Sequence, residues 1–128
     1  MTSDEQALRK KMKAKFTERL VDAFLDAIIL ARYQNCPFSG YDALLFIQEQ
    51  FGLHVSPGTV YSTIYNMERQ KLVELISENK KRIYQVTEKG KLYTEVVTSP
   101  KEIGAFMQKL MGATTKEPTS GSPENKKP

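Results

Sequence analysis

Residues 56–86 read SPGTVYSTIYNMERQKLVELISENKKRIYQV, and this stretch decides the fold. It opens on a helix-start signal. Ser56 suits an N-cap, and Pro57 suits the first helical position, where its missing N–H costs nothing. Val60, Ile64 and Met67 then recur at i, i+4 and i+7, the spacing of one buried helix face. Thr59, Ser62, Thr63, Asn66 and Gln70 line the other side. Past residue 70 the helical period gives way to a strand pattern. Leu72, Val73, Leu75 and Ile76 lead into a polar tip, Ser77-Glu78-Asn79-Lys80-Lys81-Arg82, and Ile83, Tyr84 and Val86 lead back. That is a β-hairpin with a basic end.

Working upstream, Gly52 ends a helix expected from about Tyr41 to Gln50, with Leu44, Leu45 and Ile47 apolar. Asn35-Cys36-Pro37-Phe38-Ser39-Gly40 reads as a turn. Before it, Leu8, Met12, Phe16, Leu20, Phe24 and Ile28 recur at helical spacing. Ser3 is the expected cap, with Gln6 as capping-box partner and Asp4 and Glu5 in the first turn. The helix runs from residue 4 to about 33, or breaks near Thr17. From Leu20 onward its apolar surface widens through Val21, Ala23, Phe24, Leu25, Ile28, Ile29 and Leu30, which predicts two buried faces. Downstream, Thr87 caps a helix containing Leu92, Val96 and Val97. Ser99-Pro100-Lys101-Glu102 is a second start signal, so the last helix is kinked or broken there. Its second part carries Ile103, Phe106, Met107, Leu110 and Met111.

The predicted order is helix, helix, helix, hairpin, helix. It gives a mainly α fold with a small β-hairpin, a winged helix-turn-helix with additional N- and C-terminal helices. Residues 1–15 form a basic helical extension, 16–98 the winged-helix domain and 99–112 a C-terminal helix, to which the family resemblance described below assigns dimerisation. Residues 113–128 lack apolar periodicity and are expected to be a disordered tail.

Composition narrows the function. The chain has 128 residues and is 40% hydrophobic, the size and content of one domain. Its longest apolar run falls far short of the roughly 20 residues that span a bilayer, and its N-terminus has no apolar segment of the signal-peptide kind. A cytoplasmic protein is expected, with no membrane partner. With one cysteine, Cys36, and one histidine, His54, neither an internal disulfide nor a Cys/His zinc site is available. Cys36 reads as a turn thiol and His54 as a loop residue. No nucleophile–base pair, phosphate-cradling glycine loop or metal-ligand cluster is present. No enzyme activity and no cofactor are therefore expected. Net charge is +4, unevenly spread. Residues 1–20 sum to +3, 21–68 to −4, 69–91 to +4 and 92–128 to +1. Two basic blocks suit an anionic partner.

FSGYDALLFIQEQFGLHVSPGTVYSTIYNMERQKLVE followed by KRIYQVTEKGK resembles the PadR family of winged-helix transcriptional regulators. The resemblance rests on Gly40-Tyr41, Ser56 to Tyr61, Met67-Glu68, Lys71-Leu72-Val73 and Tyr84 to Gly90, and covers roughly residues 20–95. The chain departs from the family pattern in its short wing, in Ser62 where proline is common, and in its basic N-terminal extension. It has no tryptophan, so a Trp-lined drug pocket is not expected. The resemblance implies a homodimer, with Val21, Phe24, Leu25 and Ile28 of the first helix and Ile103, Phe106, Met107 and Leu110 of the last at its interface. It also allows a small apolar or phenolic effector.

Taken together, these features predict a sequence-specific regulator, a repressor by expectation, that binds double-stranded DNA at an inverted repeat. Helix 56–70 enters the major groove. Asn66 is the leading base reader, because an amide pairs bidentately with adenine. Thr59, Ser62 and Thr63 contact bases or phosphates. Ser56, Gly58 and the free N–H groups beside them suit a phosphate. Tyr61 divides between packing and a phosphate contact, and Lys80, Lys81 and Arg82 meet the backbone. The rival reading is a winged helix used as a protein-interaction module, which would show apolar anchors on the exposed face of that helix.

Overall fold

The structure, a computed structural model, describes residues 2–52 and 55–115, the last three as backbone only. His54 and residues 116–128 of the expected tail lie outside the described residues. The chain divides into two compact units, Met1–Thr94 and Glu95–Pro128.

The first unit begins with α1 (Ser3–Ala23). Its cap is Thr2, one residue earlier than expected: Glu5 N–H donates to Thr2 Oγ1 at 3.1 Å. Thr2 is extended and reaches the third helical residue, so TSDE is the operative start motif. The helix is unbroken through Thr17 and ends at Phe24, where α2 (Leu25–Arg32) starts. The joint marks a change of face. Leu8, Met12, Phe16, Leu20 and Phe24 are 52%, 59%, 45%, 37% and 52% exposed, whereas Leu25, Ile29, Leu30 and Tyr33 enter the core. The widened apolar surface thus divides between a core face on α2 and an uncovered stripe on α1. Val21 and Leu25, expected at a dimer interface, are 3% and 2% exposed within the single chain. They belong to its own core, and only Phe24 of the four first-helix candidates is fully on the surface.

The turn at 35–40 contains an unforeseen strand, β1 (Phe38–Ser39). It is followed at once by α3 (Gly40–Phe51), capped by Ser39. Asp42 N–H donates to Ser39 Oγ at 3.1 Å, and Ser39 N–H donates to Asp42 Oδ2 at 2.9 Å. Gly52 ends α3 in the left-handed region, φ 62°. Helix α4 (Pro57–Arg69) follows, with Ser56 as N-cap as expected. It is buried through Val60, Ile64 and Met67.

Strands β2 (Val73–Ser77) and β3 (Ile83–Val86) form the expected hairpin. Strand β1 adds to its far side, giving the order β1-β3-β2, all antiparallel. Phe38 pairs with Tyr84 and Ser39 with Ile83. The β2–β3 register shifts between Leu75 and Ser77. Ile76 is the extra residue of this bulge and stands 45% exposed. Lys71, between α4 and β2, has φ 68°. It closes α4 as a left-handed cap, with Leu72 N–H donating to Met67 O at 2.9 Å.

Helix α5 (Glu88–Val97) starts where Thr87 predicts. Gly90 N–H donates to Thr87 Oγ1 at 3.0 Å, and the same hydroxyl donates to Lys71 O at 2.7 Å. Tyr93 donates to Asp26 Oδ2 at 3.2 Å, which ties α5 to α2. The core beneath these elements joins α2, α3, α4 and the sheet around Phe38, Ile47, Ile64, Val73 and Tyr84.

In the second unit α6 (Pro100–Thr115) is a separate helix. The start signal is a true break, and Glu102 N–H donates to Ser99 Oγ at 3.3 Å. The helix extends to Thr115, past the expected end at residue 112. Ile103, Phe106, Leu110 and Met111 are exposed along it, and Met107 is partly covered.

Candidate nucleic-acid interface

Helix α4 presents two chemically different faces because its sequence alternates them at helical spacing. Val60, Ile64 and Met67 are 0%, 0% and 1% exposed. Ser56, Gly58, Thr59, Ser62 and Asn66 are exposed, and Thr63 is half-buried. The burial of one face fixes the rotation of the other.

The small side chains of the polar face are held by the helix itself. Thr59 N–H donates to Ser56 Oγ at 3.1 Å, and the two hydroxyls lie 3.0 Å apart. Ser62 and Thr63 donate to Thr59 O at 3.2 and 2.8 Å. Their protons are engaged, so each presents lone pairs outward and suits a hydrogen-bond donor on a base edge. Asn66 Oδ1 accepts from Arg69 Nη2. An adenine contact through both ends of the amide requires Arg69 to move. Arg69 was not singled out by the sequence reading, although residues three apart share a helix face. It is an exposed cation at the end of the polar stripe.

The three basic residues of the wing tip separate into two kinds. Lys80 and Lys81 are exposed, with no ion pair among the described residues. Arg82 is engaged on every side. Its Nε donates to Tyr84 Oη at 2.7 Å, and Nη2 donates to Glu68 Oε1 and Oε2 at 3.2 and 3.4 Å. Nη1 lies 3.7 Å from Glu78 Oε1. The guanidinium also stands 5.8 and 5.6 Å from the ring centres of Tyr65 and Tyr84. The bond to Tyr84, then the charge of Glu68, raises the arginine pKa further. Burial raises that of Tyr84 against the lowering influence of Arg82. Arg82 therefore braces the wing against α4 and neutralises Glu68, the one acid of that helix.

Tyr61 is half-buried, its ring against the start of α3. A Cβ placed on Gly40 would fall within its ring. The absence of a side chain at the first residue of α3 is what lets α3 and α4 close on each other. Tyr41, Tyr61 and Tyr65 gather with Lys81 around a cavity of about 160 Å³ beneath the wing.

Three helices closing on a three-stranded sheet, with the third helix exposed on its polar side, match a known family in sequence. The sequence model of the Transcriptional regulator PadR-like family matches residues 29–96. The chain belongs to the PadR-like family. Solved PadR-like structures share its fold. A PadR-like transcriptional regulator from Bacillus cereus is 21% identical, with TM-score 0.59, covering 77% of this chain and 99% of its own. A PadR family regulator from Eggerthella lenta is 17% identical, with TM-score 0.61, over 87% and 99%. A transcriptional regulator from Clostridium thermocellum is 20% identical, with TM-score 0.60, over 77% and 99%. Comparison with curated proteins returns no match. This PadR-like chain is thus a transcriptional regulator with a winged-helix DNA-binding fold. Among its described residues no helix is long and apolar enough to cross a membrane.

Proposed function

We propose that this regulator is a cytoplasmic homodimer that reads an inverted-repeat operator in double-stranded DNA and represses the adjoining gene. The observation that carries the reading is the exposed stripe of Thr59, Ser62 and Asn66 on α4, short-chained and polar, with Tyr65 exposed on its flank and Val60, Ile64 and Met67 buried opposite. A helix that docks another protein places apolar anchors at such a position; Thr59, Ser62, Thr63 and Asn66 offer hydrogen-bonding groups instead. The N-terminal half of α4 enters the major groove. Ser56 and Gly58 lie against a phosphate at the helix start. Lys80 and Lys81 supply backbone attraction, and Arg82 holds the wing at its angle.

Dimerisation uses the uncovered apolar surface. On α1 this is the stripe from Leu8 to Phe24, and on α6 it is Ile103, Phe106 and Leu110, with Met107 beside them. A small apolar or phenolic effector acts, in this reading, by changing how the dimer presents its two α4 helices.

The test is a titration of purified protein with a random duplex library and its selected winners, at two salt concentrations. Enrichment of an inverted repeat supports the reading. With four phosphates neutralised per protomer, the log–log salt slope of the dimer is about −7. Absence of duplex binding at low salt would overturn the reading and favour a protein-docking role for the winged helix.

A further inference from the structure

The cavity beneath the wing is a second feature of this surface. It is lined by Ser39 and Gly40 at the start of α3, by Tyr41, Tyr61 and Tyr65, and by Lys81 and Arg82. Its volume of about 160 Å³ is well below the roughly 300–1,000 Å³ of a drug-sized ligand site. It suits one small group.

Its chemistry favours an anion. Lys81 is a compact cation without an ion pair among the described residues. The carboxylates nearby are already engaged: Glu68 and Glu78 by Arg82, and Asp42 by Ser39 N–H. The hydroxyls of Tyr41, Tyr61 and Tyr65 make no hydrogen bond among the described residues, so each has a neutral donor to offer. Tyr84, also at the cavity, has its hydroxyl held by Arg82. Gly40 leaves the space that the Tyr61 ring takes, and this fixes one wall.

Position selects the source of the anion. At about 100° per residue, Tyr61 and Tyr65 lie on the flank of α4 between its buried face and the stripe of Ser62 and Asn66. Backbone phosphates border the groove that such a stripe would read. We propose that this notch seats one phosphodiester of the DNA backbone in each half-site, held by Lys81 and the tyrosine hydroxyls, with the rings against the adjoining deoxyribose. The inference rests on the DNA-binding reading above. It goes beyond that reading by assigning a built site and its residues to one phosphate.

The experiment uses the full chain and its selected operator, with a neutral methylphosphonate replacing one phosphate at a time. Wild type, Lys81→Ala and Tyr61→Phe are compared. Phenylalanine keeps the ring in the space left by Gly40, and Lys81 is exposed, so both variants retain the fold, which circular dichroism checks. The expected result is one position per half-site where the methylphosphonate weakens wild type by about ten-fold, the worth of a charge-assisted contact. Each variant should be weaker on the natural duplex and insensitive to the methylphosphonate at that position. If the losses multiply at every position, the notch is not on a phosphate and the inference falls while DNA binding stands. If the variants instead lose only amide shifts induced by inorganic phosphate, the site serves a free anion and the DNA assignment is overturned. If wild type binds no duplex, the DNA-binding reading fails and takes the inference with it.

Discussion

Gly40→Ala is the sharpest perturbation of this architecture. The new methyl would occupy the volume of the Tyr61 ring, and the ring, half-buried on α4, is the part able to move. Swinging it out re-exposes roughly 80 Å² of the 150–250 Å² an aromatic side chain buries. At about 25 cal/mol per Å² that is about 2 kcal/mol. Alanine returns up to about 1 kcal/mol through its helix preference. The net cost is about 1–2 kcal/mol, or a fall in Tm of about 4–16 °C for a domain of this size. Urea unfolding at fixed protein concentration measures it, since association would make stability concentration-dependent. The decisive comparison is the same substitution on a Tyr61→Ala background. With the ring gone, Gly40→Ala should be neutral or stabilising. A cost that persists there, or no cost in the parent, would refute the account of α3–α4 closure.

Three other outcomes follow from the same geometry. Lys71→Gly should stabilise the fold by about 0.5–1 kcal/mol in urea unfolding, because φ 68° is left-handed and strains a side chain; a loss of stability would mean that the Lys71 side chain supports the cap. Lys80→Ala and Lys81→Ala should each flatten the salt slope of DNA binding by about 1 per protomer. Arg82→Ala should lower the preference for operator over random DNA and leave the slope unchanged, and a flattened slope would return Arg82 to the phosphate. Burial raises the phenol pKa values of Tyr33, Tyr84 and Tyr93 above 10.0. The folded state then keeps protons that the unfolded state releases, so their stabilisation is full below pH 10 and is lost as pH rises through the folded values. Tyr93→Phe should reduce that alkaline loss, measured by unfolding between pH 9 and 11.

The legible parts of the fold were those written in short-range chemistry. Ser56-Pro57 and Thr87 announced helix starts correctly because a cap is a local hydrogen bond. The stripe of Val60, Ile64 and Met67 fixed α4, since one buried face determines the rotation of the whole helix. Strand β1 was invisible, because two residues show no period and Phe38–Ser39 is a strand only by pairing with Tyr84 and Ile83. The break at Phe24 carries no glycine or proline and is set by the core that α2 enters. Val21 and Leu25 show the same limit from another side: apolar spacing says that a residue is covered, not whether its own chain covers it.

The same distinction governs charge. Residues 69–91 sum to +4, which on the sequence is one basic block. In three dimensions Arg82 lies against Glu68, with Glu78 beside it, and Arg69 lies on Asn66. The block divides into cations that shape the surface and cations that remain to attract. Pairing Arg82 with Glu68 removes the only acid of α4 from the field that an approaching phosphate feels, while the bond to Tyr84 sets the guanidinium where Tyr65 and Glu68 can meet it. A lysine there would keep the charge and lose the fork that engages Tyr84 and Glu68 together. Arg82→Lys should therefore behave as Arg82→Ala does in operator preference if bracing is the role. It should behave as wild type if charge alone matters.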